Sequence, residues 1–215
     1  MGGHEHGTSG HVLHWARAYD ALVWVLTLGN ERRFRQRLAE LARLEAGQSV
    51  LDVGCGTGAL AIAAKGFVGA GGEVTGVDPS SEMVARAKRK AAKAGVDVRF
   101  EAGTIEALPF PDTTFDTALS TLMLHHLTDD GLGKGLGEVA RVLKPGGRFL
   151  AVDIGDTGGK GHHPFLRLGK HGDFDLDTRV PALEGVGLRI VDRGDVGQGF
   201  VRGMPSLRFI LAETA

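Results

Sequence analysis

The chain has 215 residues, a formal net charge of −1 and one cysteine. This length supports one well-buried core rather than two full-sized domains. The near-zero charge creates no global field that would attract nucleic acid or an anionic membrane, and one cysteine excludes an intrachain disulfide. Residues 21–28 are apolar but too few to span a bilayer. We therefore expect a cytoplasmic protein with no nucleic-acid partner and no stable membrane insertion.

The first 46 residues precede the first predicted core strand. Residues 1–13 are rich in histidine and glycine and are predicted to be a disordered tail. Residues 14–28 carry apolar and aromatic side chains at helical intervals, and residues 31–44 place Phe34, Leu38 and Leu41 on one helical face, with Gly47 positioned to end that helix. Because these helices are an addition to the core, we expect residues 14–46 to form a lid over a ligand site.

Residues 49–58 are the most informative stretch of the chain. Val50, Leu51 and Val53 form a short apolar run typical of a buried strand, and three glycines at alternate positions follow it. A helix-forming run begins at Ala59. Strand, glycine turn and helix N-terminus together predict a nucleotide-type site, although a glycine-rich turn without a ligand is the simpler alternative.

The spacing of these glycines favours one kind of ligand over another. A dinucleotide-binding loop has the pattern G-x-G-x-x-G, whereas Gly54, Gly56 and Gly58 follow the pattern G-x-G-x-G. Residues 73–77 are predicted to form the next strand, and Asp78 lies at its end, 20 residues after Gly58. A carboxylate at that position can accept hydrogen bonds from both hydroxyls of a ribose.

The remainder of the chain alternates between predicted strands and helices. We predict helices over residues 59–65, 79–94 (capped by Ser80 or Ser81), 129–143 and 176–185, a turn over 144–147, and strands over 96–101, 115–122, 148–154, 188–196 and 207–213. Glycines at 131, 133, 135 and 137 weaken the helix over 129–143 by about 1 kcal/mol each relative to alanine. The alternation predicts an α/β protein with a parallel, doubly wound sheet.

Several motifs together resemble those of class I S-adenosylmethionine-dependent methyltransferases. The subgroup that they resemble contains the ubiquinone and menaquinone biosynthesis C-methyltransferases and the bacterial phosphatidylethanolamine N-methyltransferases. The motifs are Asp52-Val53-Gly54-Cys55-Gly56-Thr57-Gly58, Gly76-Val77-Asp78-Pro79, Leu108-Pro109-Phe110-Pro111-Asp112, Leu124-His125-His126-Leu127 and Leu143-Lys144-Pro145-Gly146-Gly147. The resemblance covers residues 14–155 best and is more specific for the cofactor than for the methyl acceptor.

The resemblance implies a Rossmann-like sheet of seven strands in the order 3-2-1-4-5-7-6, with the last strand antiparallel, in a cofactor-binding domain over residues 47–215. It implies methyl transfer from S-adenosylmethionine to a small-molecule acceptor by in-line displacement, which leaves S-adenosylhomocysteine. The oligomeric state stays open, with a homodimer as one option. The implied cofactor residues are Tyr19, Asp52, Gly54, Cys55, Gly56, Gly58, Asp78, Pro79, Met83, Thr104, Ile105 and Ser120. Thr104 departs from the family, which commonly has an aspartate there. Thr104 can accept a hydrogen bond but is neutral, so we expect a weaker contact with adenine at this position, and the Ile105 N–H is also available.

His125 and His126 are the candidate catalytic residues. They follow the fourth strand, and a histidine can remove a proton from a phenol or an acidic C–H near neutral pH. The alternative is that the pair only packs locally. The histidines near the N-terminus and at 162, 163 and 171 lack a convincing partner set, so we expect no functional metal. The basic stretch 160–171 is expected to be a solvated loop, and the alternative is that it contacts an anionic group on the acceptor. The competing function for the whole protein is a non-catalytic cofactor-binding module or partner subunit.

Overall fold

A seven-stranded sheet dominates the part of the chain that the computed structural model describes, which is residues 31–155, 174–197 and 207–215. The strand order is β3-β2-β1-β4-β5-β7-β6, and β7 runs antiparallel to both of its neighbours, while the other neighbouring pairs are parallel. The strands are β1 Ser49–Val53, β2 Glu73–Asp78, β3 Arg99–Ala102, β4 Phe115–Thr121, β5 Leu143–Ile154, β6 Leu188–Asp195 and β7 Leu207–Thr214. The predicted fold class, strand order and antiparallel last strand are confirmed.

Helices follow most of the strands in the described residues. They are α1 Glu31–Leu41, α2 Ala59–Val68, α3 Ser81–Ala94, α4 Asp129–Val142 and α5 Val180–Gly185, with 3₁₀ helices at Leu124–His126 and Leu176–Arg179. The Ser80 hydroxyl accepts a hydrogen bond from the Met83 N–H at 3.3 Å and caps α3, as predicted. No helix among the described residues is long and apolar enough to cross a membrane.

Helix α1 ends earlier than the sequence predicted. The helix was predicted over residues 31–44, with Gly47 as its stop signal, but the last helical residue is Leu41, and Arg43 takes a left-handed conformation with φ 52°. The Leu44 N–H donates to the Ala39 carbonyl and the Arg43 N–H to the Glu40 carbonyl, which is the hydrogen-bond pattern of a Schellman motif. An arginine therefore takes the position that usually favours glycine.

Two apolar clusters form the core, one on each face of the sheet. Successive strand residues alternate between them, so that Val50 belongs to one cluster and Leu51 to the other. Helices α1, α2 and α3 contribute to the first cluster, and α4 and α5 contribute to the second. Both faces of the sheet are therefore covered, as expected for a doubly wound fold.

The residues of the predicted turn, 144–147, lie inside strand β5. Strand β5 begins at Leu143, which pairs with Phe115, but the next pair joins Arg148 to Thr117. Residues 144–147 are therefore an irregularity that interrupts the ladder between β4 and β5, and Gly146 has φ 72° within it. The predicted turn is therefore an interruption of the ladder within β5, and the chain pairs with β4 on both sides of it.

Helix α4 is continuous despite its four glycines. Gly135 is buried, and a Cβ placed there would lie 2.9 Å from Ile105 Cγ1, whereas a Cβ at Gly133 or Gly137 would meet nothing within 4 Å. Gly135 therefore lets the helix approach Ile105, and the other two glycines serve no packing role. The predicted tail (1–13) and the helix predicted over 14–28 lie outside the described residues, as does the basic stretch 160–171.

Candidate functional site

The glycine loop after β1 folds around the end of β2. The N–H groups of Gly54 and Cys55 both donate to the Val77 carbonyl, at 2.8 and 2.9 Å. Gly54, Gly56 and Gly58 have φ values of 71°, 51° and 76°, a left-handed conformation that costs glycine little. The loop leads directly into α2, so the start of this helix, the loop and the carboxyl ends of β1 and β2 lie together.

Asp78 joins the glycine loop to the start of α3. One carboxylate oxygen accepts from the Gly56 N–H and the other from the Ser80 N–H, both at 2.9 Å. Burial raises the pKa of Asp78 above its ordinary value, and these two N–H donors oppose that effect. The acid predicted for the ribose therefore lies at the end of β2, in direct contact with the loop.

Asp52 occupies the interior of β1 and caps the helix beyond the loop. Its side chain is buried, and Oδ2 accepts from the Ala61 N–H at 3.1 Å. Burial raises the pKa of Asp52 to about 7; the Ala61 N–H and Arg35 lower it, and the negative charge of Asp78 raises it further. The fold therefore disfavours the ionised form of Asp52 relative to the unfolded chain.

Cys55 is a packing residue of the loop in this structure. Its thiol is close enough to Gly76 that a Cβ on that glycine would lie 2.9 Å from the sulfur. Burial, together with the negative charges of Asp52 and Asp78, raises the pKa of the Cys55 thiol. The thiol therefore stays protonated at neutral pH and is unsuited to act as a nucleophile.

A cleft opens between the glycine loop, helix α1 and the end of β4. Its apolar walls come from α1 and α2. Its polar side chains are Arg35 on α1, Asp52 on β1, Thr57 in the glycine loop and Thr121 on β4. Thr121 Oγ1 is buried and has no hydrogen-bond partner among the described residues. The lining residues are Phe34, Arg35, Leu38, Asp52, Gly54, Cys55, Gly56, Thr57, Ala59, Leu60, Thr121 and Leu122.

The remaining predicted cofactor residues are spread around the loop. Pro79 is exposed and Met83 is buried at the start of α3, while Thr104 is half-buried in the turn after β3. The Ile105 side chain belongs to the second core cluster. Ser120, near the end of β4, is fully buried and its hydroxyl has no partner among the described residues. Tyr19 lies outside the described residues.

The two candidate catalytic histidines differ in their surroundings. His125 Nδ1 lies 2.7 Å from Asp153 Oδ1, and the side chain of Asp153 is fully buried, whereas that of His125 is 20% exposed. Asp153 also accepts from the backbone N–H groups of His125 and Ile154. Because a carboxylate can only accept, the contact puts the ring proton on Nδ1 and leaves Nε2 as an acceptor. His126 is exposed, and its ring lies 4.0 Å from that of His125.

Sequence reasoning missed Asp153, Arg35 and Thr121. Asp153 follows an apolar run at the end of β5 and faces His125 because β4 and β5 pair in parallel, with Thr121 opposite Val152. An acid near the end of the next strand in the chain after a His-His pair is a signal that could have identified Asp153. Arg35 is one of several arginines on α1, and the sequence contains no feature that separates it from Arg32 or Arg33.

The strand order, the glycine loop after β1 and the acid at the end of β2 define the class I S-adenosylmethionine-dependent methyltransferase fold. A crystal structure of an S-adenosylmethionine-dependent methyltransferase from Aquifex aeolicus matches it with a TM-score of 0.73 and 24% identity, covering 91% of this chain and 98% of that one. At this identity the likeness shows the fold. Residues 50–147 match the family described as Methyltransferase domain.

Two relatives specify the resemblance further. The chain is 40% identical over 139 residues to a demethylmenaquinone methyltransferase from Thermus thermophilus, covering 65% of this chain and 62% of that protein. It is 36% identical over 142 residues to the ubiquinone/menaquinone biosynthesis C-methyltransferase UbiE of Bdellovibrio bacteriovorus, covering 66% and 59%. The predicted resemblance to this subgroup is confirmed, and the chain spans less than two thirds of the length of either relative.

Proposed function

We propose that the protein transfers a methyl group from S-adenosylmethionine to a small-molecule acceptor. The observation that carries this proposal is the clustering of the glycine loop, Asp78 and a polar cleft at the carboxyl ends of β1, β2 and β4. Ligands of open α/β sheets bind outside the carboxyl ends of the strands. The His125–Asp153 pair follows β4 and ends β5, at the same edge of the sheet.

The residues of this site fit the cofactor. A Cβ at Gly54 would lie 2.4 Å from Met123 Cγ, so only glycine allows this close approach of the loop, and the Thr121 hydroxyl still needs a polar partner. We propose that Asp78 accepts from the ribose hydroxyls and that Asp52 and the loop backbone hold the methionine end. The adenine would be surrounded by Met83, Pro79, Thr104 and Ile105. Cys55 and Ser120 would be packing neighbours of the cofactor, and Tyr19 would contact it from the lid.

The main tasks of the protein in this reaction are to align the acceptor with the methyl group and to exclude water. The cofactor would supply a methyl group bound to a sulfonium sulfur. The leaving group, once a nucleophile has taken the methyl group, would be a neutral thioether. The chain must hold the acceptor in line with that methyl group and keep water away. Helix α1 belongs to the segment 14–46 that we propose as a lid, and its residues Phe34 and Leu38 line the cleft.

We propose that His125 is the base when the acceptor carries an acidic proton. Its Nε2 would take the proton from the acceptor hydroxyl or C–H as the new bond to carbon forms, and Asp153 would stabilise the resulting imidazolium. Asp153 is then a positioning residue, since it contacts His125 and not the acceptor. We propose no separate step for His126, whose ring lies against that of His125.

The acceptor class that we propose to test first is a quinol. Its support is the printed names of the relatives from Thermus thermophilus and Bdellovibrio bacteriovorus, which refer to menaquinone and ubiquinone biosynthesis. A quinol has phenolic protons of the kind that a histidine base removes. Phenols without a second hydroxyl, amines and thiols form the comparison panel.

The decisive first experiment is calorimetric titration with S-adenosylhomocysteine. We expect binding by the wild-type chain, and Asp78→Ala should weaken it at least about tenfold because the ribose loses its acceptor. Asp97→Ala, which removes an exposed carboxylate just after α3, is the matched control and should leave the affinity unchanged. No binding to millimolar ligand, or equal affinity in both variants, would end the proposal for this site.

A measurement of methyl transfer distinguishes a methyltransferase from a non-catalytic cofactor-binding module. The departure from the family at Thr104, which lies half-buried in the turn after β3, is the observation that favours the module. The module predicts binding of S-adenosylhomocysteine but no transfer of labelled methyl to any quinol, phenol, amine or thiol. Label on any one of these acceptors excludes the module.

A further inference from the structure

Helix α4 contacts the loop between β3 and β4, residues 103–114, from three successive positions. Gly135, Glu138 and Arg141 are spaced by three residues, so they lie on the same side of the helix. Gly135 allows the closest approach, since a Cβ placed there would lie 2.9 Å from Ile105 Cγ1. Ile105 is buried and belongs to the second core cluster. The loop therefore lies along the helix.

The guanidinium group of Arg141 makes five hydrogen bonds at this contact, as many as it has N–H groups. Nε and Nη2 donate to the two carboxylate oxygens of Glu138, at 2.7 and 2.8 Å. Nη2 also donates to the Leu108 carbonyl at 3.1 Å, and Nη1 donates to the Phe110 carbonyl at 2.8 Å and to Asp112 Oδ1 at 2.7 Å. Because these donors form a rigid planar fork, one arginine fixes two loop carbonyls relative to the helix.

Glu138 holds the same loop through a backbone N–H. Its Oε2 accepts from the Leu108 N–H at 2.9 Å, so both polar backbone groups of Leu108 bind side chains of α4. The hydrogen bond from Arg141 holds the pKa of Glu138 below its ordinary value, so Glu138 is ionised at neutral pH. The ion pair with Asp112, whose side chain is 72% exposed, contributes little in comparison. We call Glu138 and Arg141 the α4 clamp.

The clamped loop contains both polar groups that we propose for the adenine, the Thr104 hydroxyl and the Ile105 N–H. Thr104 is neutral, so selection of the base depends more heavily on the backbone amide. Ring nitrogen N1 of adenine accepts a hydrogen bond, whereas N1 of hypoxanthine carries a proton. A fixed N–H that meets N1 therefore binds adenine and opposes a second donor in hypoxanthine. A mobile amide could turn away from that second donor, so the discrimination depends on how firmly the loop is held.

We propose that Glu138 and Arg141 are positioning residues for recognition of the base. By holding the loop against α4, they keep the Ile105 N–H directed at N1 of the adenine, and the protein selects adenine over hypoxanthine. Both residues act through the loop and not by contact with the cofactor. This inference rests on the proposed function and adds to it the helix that follows the histidine pair.

The experiment is calorimetric titration with S-adenosylhomocysteine and S-inosylhomocysteine, which differ only in the base. We expect the wild-type chain to prefer the adenine ligand at least about tenfold, because hypoxanthine leaves two donors facing each other. Arg141→Gln should lower this preference below about threefold, and Glu138→Gln should give an intermediate value, since its amide oxygen still accepts one hydrogen bond. Arg189→Gln is the matched control and should leave the preference unchanged. It removes an arginine–carboxylate pair with Glu213 near the opposite edge of the sheet from β3.

The ratio of the two affinities is the readout that a purely structural role would not change. If Arg141→Gln lowers the melting temperature and weakens both ligands by the same factor, Arg141 only supports the fold. If the wild-type chain binds the two ligands equally, the loop does not select the base. Both results overturn the inference and leave the proposed function intact, whereas a wild-type chain that binds neither ligand refutes the proposed function and the inference with it. If Arg141→Gln does not fold, Glu138→Gln, which conserves side-chain volume, replaces it, and an unchanged preference in that variant also overturns the inference.

Discussion

The ring of Phe100 fills the space between two glycines, and Gly58→Ala tests whether this packing shapes the glycine loop. An ideal Cβ at Gly58 would lie 2.5 Å from Phe100 Cζ and 2.8 Å from Ala87 Cβ, closer than real Cβ atoms approach. The ring cannot shift away easily, because it also lies against Gly76, where a Cβ would be 2.7 Å from Phe100 Cδ1. Gly58 therefore has no room for a methyl group.

Two costs combine in this variant. The φ of 76° at Gly58 costs an L-residue about 1–2 kcal/mol, and forcing a methyl group into a packed core costs about 1–3 kcal/mol. We therefore expect Gly58→Ala to lower the free energy of unfolding by about 2–5 kcal/mol, measured by urea denaturation with an unchanged m-value. Gly95→Ala is the matched control, because Gly95 has φ 65° but nothing within 4 Å of its Cβ position. It should lose only the conformational cost, about 1–2 kcal/mol.

A second comparison isolates the contact with the ring. In a Phe100→Leu background the penalty of Gly58→Ala should fall toward that of Gly95→Ala, since the shorter side chain leaves room for the methyl group. If Gly58→Ala costs no more than Gly95→Ala in the wild-type background, Phe100 does not constrain the loop and the reasoning is wrong.

Three further variants test other parts of the structure. Asp52→Asn should remove a pH dependence: the native carboxyl, with a pKa of about 7, keeps a proton that the unfolded chain releases near 3.8, so wild-type stability relative to the variant should fall by about 3 kcal/mol as pH rises from 4 to 7. A constant difference in urea denaturation across this range contradicts the assignment. Gly133→Ala should stabilise α4 by up to about 1 kcal/mol, whereas Gly135→Ala should destabilise it through Ile105, and equal shifts in melting temperature would refute the packing argument. Once an acceptor is known, Asp153→Asn and His125→Asn should each lower turnover about 10²-fold or more, with S-adenosylhomocysteine affinity retained, and the double variant should lose no more than His125→Asn alone. Additive losses would show that the two residues act separately.

The sequence predicted the sheet well because its strands are specified locally. Each strand is a short apolar or alternating run with a turn signal at its end, and the predicted starts of β1, β2 and β4 fall within one residue of those observed. The end of α1 was wrong for a physical reason. The Schellman hydrogen bonds hold Arg43 in a conformation that its residue type disfavours, while Gly47 donates its N–H to the Val68 carbonyl at the end of α2.

The residues of the candidate site also differ in whether nearby or distant parts of the chain determine their positions. The glycine loop and Asp78 were predictable because their chemistry follows directly from the strands that carry them. Asp153 lies 28 residues from His125 along the chain and reaches it through the register of β4 against β5. That register depends on how many residues the irregularity at 144–147 removes from the ladder, and the turn predicted there did not reveal which residues pair on either side of it.

Arg35 shows why charged groups at the border of an apolar helix face are hard to predict from the sequence. Helical periodicity assigned Phe34, Leu38 and Leu41 to the buried face of α1 and left the arginines elsewhere on the helix. Arg35 is next to Phe34, so it lies at the border of that face, where burial depends on what the helix packs against. Here α1 packs against α2, and a cleft that the glycine loop also lines lies at this border. A long side chain at the edge of an apolar face therefore comes to line a cleft only through the packing of two segments, which no local pattern in the chain encodes.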